Sequence, residues 1–155
     1  MRQSCANVPQ VVQGLAYCAL PPAWVRFDMA EAVEIAVQMY IRAVSERDPA
    51  LRAQQLEACF AEQGRFVTRS REIRGRAGVA EMLTRFHADP RPSRIRLLSV
   101  VDASGTIFRF RSLVENHDGT SDEFFDAGEI DAEGRISLIL TFSGPLAEAG
   151  DQDRV

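Results

Sequence analysis

Lysine is missing from this chain: all 18 basic residues are arginine. Its absence excludes Schiff-base catalysis, a covalently held pyridoxal phosphate and a P-loop, each of which needs a lysine ammonium. Arginine-only usage also points to a GC-rich bacterial genome, since arginine codons are GC-rich. Histidine is nearly absent as well, with only His87 and His117. Cys5, Cys18 and Cys59 form no CxxC pair, so no metal site is expected. Scattered thiols of this kind fit a reducing cytoplasm. No stretch approaches the ~20 apolar residues that span a bilayer, so no membrane association is expected. The net charge of −4 gives no global attraction to nucleic acid or to an anionic membrane. What is present, 155 residues of which 46% are hydrophobic, suffices for one core.

Residues 1–27 stand apart. Gln10, Gln13 and Gly14 interrupt their apolar run and leave too little length for a signal peptide. Leu15-Ala16-Tyr17-Cys18 echoes a lipoprotein cleavage site, but tyrosine stands where a small residue is needed. This stretch reads as a poorly ordered arm ending at Pro21-Pro22, or as an over-extended reading frame whose start is Met29. A domain over 28–146 and a polar tail over 147–155 complete the expected organisation.

Within that domain, Met29, Val33, Val37, Tyr40 and Val44 recur at helical spacing, predicting a helix over 29–46. Asp48-Pro49 is an N-cap followed by proline at the first helical position, so a second helix starts there and is expected to end at Gly64. A short strand at 66–68 and a third helix over 78–87 follow, the latter closed by Asp89-Pro90-Arg91-Pro92. Alternating strands are expected at 94–101, 107–115, 124–131 and 135–143. Helices followed by consecutive strands make an α+β fold: three N-terminal helices packed on a strongly curved antiparallel sheet that forms a cone-shaped cavity.

Several residues invite chemistry. Strand alternation puts Asp126 on the same side as Phe124 and Ile130, where a carboxylate is costly unless paired or protonated. It is either an acid/base group with a raised pKa or a structural partner for an arginine. Tyr40, on the apolar stripe of the first helix, is either a core tyrosine or a hydrogen-bond donor facing the cavity. His87, ending the third helix, either reaches the cavity mouth as a base or complements the helix C-terminus. His117 sits in a predicted turn and is read as solvent-exposed. Arg65, Arg69, Arg71, Arg74 and Arg76 crowd one segment without interleaved aromatics, which argues against a nucleic-acid surface and reads as a solvated loop balanced by the acidic residues of the later strands, the alternative being a site for an anionic ligand or a partner's acidic surface.

Three segments carry a resemblance. Ala36-Val37-Gln38-Met39-Tyr40-Ile41, Cys59-Phe60-Ala61-Glu62, and Asp126 with Asp131–Ile136 and Phe142-Ser143-Gly144 occur in the order found in the nuclear transport factor 2-like superfamily. The chain resembles its ketosteroid isomerases and SnoaL-like polyketide cyclases over about residues 28–146. The isomerase resemblance implies that Tyr40 and Asp126 match the oxyanion-hole pair, whose carboxyl an apolar site keeps protonated. Thr68 falls where that enzyme has its general base, and a hydroxyl cannot act as a carboxylate base. The cyclase resemblance implies a single acid/base, matched by Asp126, with no cofactor. The Asp-Arg-Asp constellation of limonene-type epoxide hydrolases has no counterpart. The expected function is an isomerase or cyclase acting on a small apolar, polyketide-like or steroid-like ligand. The alternative is a non-catalytic ligand-binding or dimerisation module. Phe60, Phe66, Thr68, Met82, Phe86, Phe108, Phe110 and Phe124 are expected at the pocket wall, with Phe142 in the core.

A homodimer through the outward face of the sheet is expected, as the resemblance also implies. Alternation assigns Phe108, Phe110 and Val114 inward and Arg109, Arg111 and Leu113 outward. Ile139 and Thr141, with Leu98 and Val100, are expected to extend the outward apolar surface.

Overall fold

The first helix owes its position to one stripe. Val33, Ala36, Val37, Tyr40, Ala43 and Val44 are buried at helical spacing along α1 (Met29–Ser45). The structure is a computed structural model that describes residues 29–144. The expectations for the arm (1–27) and the tail (147–155) lie outside the described residues. After α1 the chain turns at Asp48, whose carboxylate accepts the backbone N–H groups of Ala50 (2.8 Å) and Leu51 (3.0 Å). With Pro49 at the first helical position, this cap starts α2 (Pro49–Cys59) as the sequence predicts.

The end of α2 differs from expectation. The helix stops at Cys59, and Phe60 already belongs to strand β1 (Phe60–Thr68), where it pairs with Ile136. Gly64 therefore terminates no helix. The Phe60 ring lies over it, so closely that a Cβ on Gly64 would stand 2.5 Å from a ring carbon. Strand β2 (Glu72–Arg74) turns back along β1, and α3 (Arg76–Ala88) follows, buried through Val79 and Leu83.

The expected strand at 94–101 stops early, at Leu97 in β3 (Pro92–Leu97), and a separate short strand, β4 (Asp102–Ser104), follows it; both pair with β5 (Ile107–Asn116). Strands β6 (Ser121–Ile130) and β7 (Ile136–Ser143) complete a curved seven-stranded sheet of order β2-β1-β7-β6-β5-β3, with β4 beside β5. Pairing is antiparallel except between β1 and β7, which run parallel. The α+β architecture is the expected one. Among the described residues, no helix is long and apolar enough to cross a membrane.

A bulge in β7 decides which side chains face the helices. Ile130 pairs with Ile136 but Glu129 pairs with Leu138, leaving Ser137 as an extra residue. The extra residue reverses the alternation, so Ile136 and Ile139 are both fully buried. Ile139 and Thr141 therefore face inward, against expectation. Phe142, expected in the core, is 50% exposed on the outer face beside Phe125 (ring centroids 6.4 Å apart).

Two inward-facing rows of cross-strand partners result from this register. One is Phe66–Ile139–Gly128–Phe108 and the other Thr68–Thr141–Asp126–Phe110. In the first row Phe108 packs flat over Gly128, where a Cβ would stand 2.6 Å from the ring and 2.2 Å from the Leu138 carbonyl oxygen. Ile139 and Phe108 of that row join the closed core, with Phe110 of the second, whereas Phe66 and the Thr68–Thr141–Asp126 part of the second row border open space.

Candidate functional site

Asp126 stands in the middle of β6, 5% exposed, between two hydroxyl-bearing strands. Ser112 of β5 donates to its Oδ2 (2.8 Å) and Thr141 of β7 donates to its Oδ1 (2.6 Å). Among the described residues no arginine pairs with it, so the ion-pair alternative read from the sequence gives way to a hydroxyl clasp. Burial pushes the Asp126 carboxyl above its ordinary range, and the two hydroxyl hydrogen bonds oppose that shift only in part.

Above this clasp lies a cavity of about 460 Å³. Its polar floor is Asp126, Ser112 and Thr141, with Tyr40 from α1 facing them. Burial, and then the neighbouring Asp126 charge and Cys59, hold the Tyr40 hydroxyl well above its ordinary value, so it remains a protonated donor. Ile41, Val44, Phe66, Met82, Phe86 and Phe124 supply apolar wall. The exposed end carries Arg71, Arg85, Arg91 and Asp122, with Asp89 beside them. A volume of this size and an apolar wall with few convergent polar groups suit a small organic ligand.

The structure distributes the predicted residues unevenly. Tyr40, Phe66, Thr68, Met82, Phe86, Phe124 and Asp126 all border the cavity. Phe60, Phe108 and Phe110 do not. They are at most 2% exposed and belong to the closed core, where Phe108 stacks on Phe110 (6.0 Å) and Phe60 meets Tyr40 (6.4 Å). His87 is also elsewhere: its Nε2–H donates to the Val44 carbonyl at the end of α1 (2.9 Å), and its ring stands edge-on to Phe86. Burial lowers its pKa, with the charges of Arg52 and Arg47 acting in the same direction, against the pull of the Val44 carbonyl. The reading of His87 as a base at the mouth is therefore corrected, since it does not border the cavity. It does stand in the last turn of α3, as the other reading has it, and there its ring N–H joins α3 to α1 while its lowered pKa disfavours the imidazolium.

The arginine segment is largely accounted for locally. Arg65 (2.7 Å) and Arg74 (2.9 Å) share Glu72, and Arg76 donates to the Glu57 carbonyl (3.1 Å). Arg71 alone of the segment borders the cavity. Cys59 is inert, its thiol pushed up to about 12 by burial. Among the described residues no group of three His, Cys, Asp or Glu side chains could hold a metal ion.

Ser112 and Thr141 escape the sequence reading as site residues, whereas Arg71 belongs to the arginine segment named there. Ser112 was within reach, as a polar residue among Phe108, Phe110 and Val114 on one strand face. Thr141 was not, because the bulge at Ser137 cannot be seen in a strand of Ile, Leu and Thr.

No protein-family model matches the sequence, and no curated protein matches it. Solved structures do. A candidate isomerase of the SnoaL-like family from Agrobacterium tumefaciens matches with a TM-score of 0.68 at 24% identity, over 74% of this chain and 99% of that one. A nuclear transport factor 2-like superfamily protein from Salmonella enterica matches with a TM-score of 0.57 at 14% identity, over 80% and 96%. A limonene epoxide hydrolase-like enzyme of Mycobacterium tuberculosis matches with a TM-score of 0.54 at 18% identity, over 74% and 84%. At these identities the likeness establishes the nuclear transport factor 2-like fold, the fold expected from the sequence. Fold alone assigns no chemistry.

Proposed function

We propose that this protein is a cofactor-independent isomerase or cyclase of small apolar carbon acids, polyketide-like or steroid-like in character, working in the cytoplasm. The observation that carries the reading is the Asp126 carboxyl: buried on the cavity floor, without a cationic partner among the described residues, and raised in pKa. A carboxyl in that state exchanges protons near neutral pH more readily than a solvated one. In its ionised form it would take a proton from the carbon next to a ligand carbonyl. The Tyr40 hydroxyl, kept protonated, would donate a hydrogen bond to the developing enolate oxygen. The proton then returns from Asp126, either to a different carbon (isomerisation) or to the alkoxide left when the enolate carbon closes a ring (cyclisation). As the carboxyl gains its proton, the hydroxyl facing the protonated oxygen, Ser112 or Thr141, can turn from donor to acceptor while the other goes on donating, so both charge states stay hydrogen-bonded.

A specific observation favours a second reading. Both Asp126 oxygens are already engaged, and the engagement ties β5, β6 and β7 together. A non-catalytic binding module would need no more than this. Solvent exchange separates the two. A β,γ-unsaturated ketone and an aromatic β-diketone are incubated with the protein in D₂O, and deuterium incorporation is followed by NMR. Catalysis predicts enzyme-dependent incorporation that Asp126→Asn abolishes while ligand binding persists. Binding without incorporation leaves the module reading standing. We further propose that two copies associate through the outer face of the sheet, where Ile107, Phe125 and Phe142 are exposed.

A further inference from the structure

The cavity is charged asymmetrically at its open end. Arg91 is held by Asp89 through its Nε (3.0 Å) and Nη2 (2.7 Å), and Asp122 lies on the same side, accepting from Asn116 (3.2 Å). Arg85 is occupied by Glu81 one helical turn away. Arg71 differs: it borders the cavity, is solvent-exposed, and among the described residues no carboxylate pairs with it. The backbone fixes where it stands. Thr68 N–H donates to the Arg71 carbonyl (2.8 Å), so Arg71 continues the Thr68–Thr141–Asp126 row by one position. Three strand spacings separate Arg71 from Asp126, about 14 Å of backbone before sheet curvature shortens it. The wall between them includes Phe66, Met82 and Phe124.

We propose that the ligand is an amphipathic carboxylic acid, its apolar body lying along this row and its carboxylate meeting Arg71 at the mouth. The inference rests on the proposed small-molecule role of the cavity and adds to it the charge and polarity of the ligand. A guanidinium without a partner is suited to two-pronged recognition of a carboxylate. The apolar wall excludes a ligand that is charged along its whole length. Register also sets the direction, with the carbon to be deprotonated at the Asp126 end and the anion at the Arg71 end.

Isothermal titration with decanoate, decanol and decylammonium tests the inference on the full chain. Decanoate is expected to bind about tenfold tighter than decanol at low salt, with the preference shrinking as salt screens the exposed arginine. Decylammonium should bind more weakly than either. Arg71→Gln should reduce the decanoate preference to about twofold or less. Arg69→Gln, in the same turn but off the cavity, should leave it intact. Equal binding of decanoate and decanol, or a preference that survives Arg71→Gln, overturns the proposal and leaves the acid/base reading of Asp126 standing. Failure of all three probes to bind overturns the proposal together with the cavity's small-molecule role.

Discussion

Replacing Asp126 by asparagine tests the central claim without assuming any substrate. The amide keeps the shape of the carboxyl, and the Ser112 and Thr141 hydroxyls can each reorient, one donating to Oδ1 and the other accepting from Nδ2–H. What disappears is a titration. Burial raises the folded pKa above the ordinary value near 3.8, so the fold favours the protonated carboxyl. The stability this contributes is full below the unfolded pKa and is lost as pH rises through the folded pKa. Across that interval the loss is at most about 1.4 kcal/mol per pH unit. The asparagine variant has no such slope. Its melting temperature should match that of the wild type below about pH 4 and exceed it at pH 7 by about 4 °C for each kcal/mol relieved in a domain of this size. Calorimetric scans at half-unit steps from pH 3.5 to 8 provide the comparison. A variant less stable than wild type at pH 7 but not at pH 4 would show that the hydroxyl clasp stabilises the carboxylate more than burial opposes it, and an offset independent of pH would show that the two balance. Asp126 would then be structural.

Four other outcomes are expected. Gly128→Ala should cost about 2–3 kcal/mol in urea denaturation, because its Cβ would meet the Leu138 carbonyl and the Phe108 ring; a cost below about 0.5 kcal/mol would contradict this packing. Light scattering at micromolar concentration should give twice the 17.2 kDa chain mass. Phe142→Glu should return a folded monomer, whereas Ile139→Glu should unfold the chain; a wild-type monomer would remove the dimer. Arg52 is 2% exposed, and its guanidinium donates to the Glu46 (2.8 Å) and Arg47 (3.2 Å) carbonyls beyond α1 and to Thr84 (2.8 Å). Arg52→Met should therefore cost about 2 kcal/mol, and a raised urea midpoint would mean that desolvating the guanidinium outweighs those bonds. The imidazole of His87 should titrate below 6.5 by NMR, adding stability that is present above that pH and lost as pH falls to the folded pKa; a value above 6.5 would place the ring in a different environment.

Local signals carried the sequence reading a long way. The apolar stripe of α1, the Asp48-Pro49 start of α2 and the alternation of β5 and β6 are properties of neighbouring residues, and each was legible. Asp126 and Tyr40 could be singled out because each is a polar group at a position whose parity or period is otherwise apolar. Register is a different kind of information. The pairing of Phe60 with Ile136 ends α2 five residues before Gly64, and the unpaired Ser137 turns Thr141 into the cavity. Both depend on partners more than 70 residues away or across a hairpin. The three-residue strands β2 and β4 carry too short a pattern to register at all. His87 shows the same limit from the opposite direction, since its acceptor, Val44, is 43 residues distant.

The parallel contact between β1 and β7 also bears on how the molecule is made. Thr68 faces Thr141 only after the 72 residues between them have been synthesised. At typical translation rates that takes about 4–15 s. Throughout this interval β1 has β2 on one side and an open edge on the other. The cavity does not yet exist, because Thr141 closes its floor. Binding competence is therefore acquired in a single late event, when the final strand slots between β1 and β6. A nascent chain stalled before β7 should be a substrate for chaperones and proteases rather than a partly active protein.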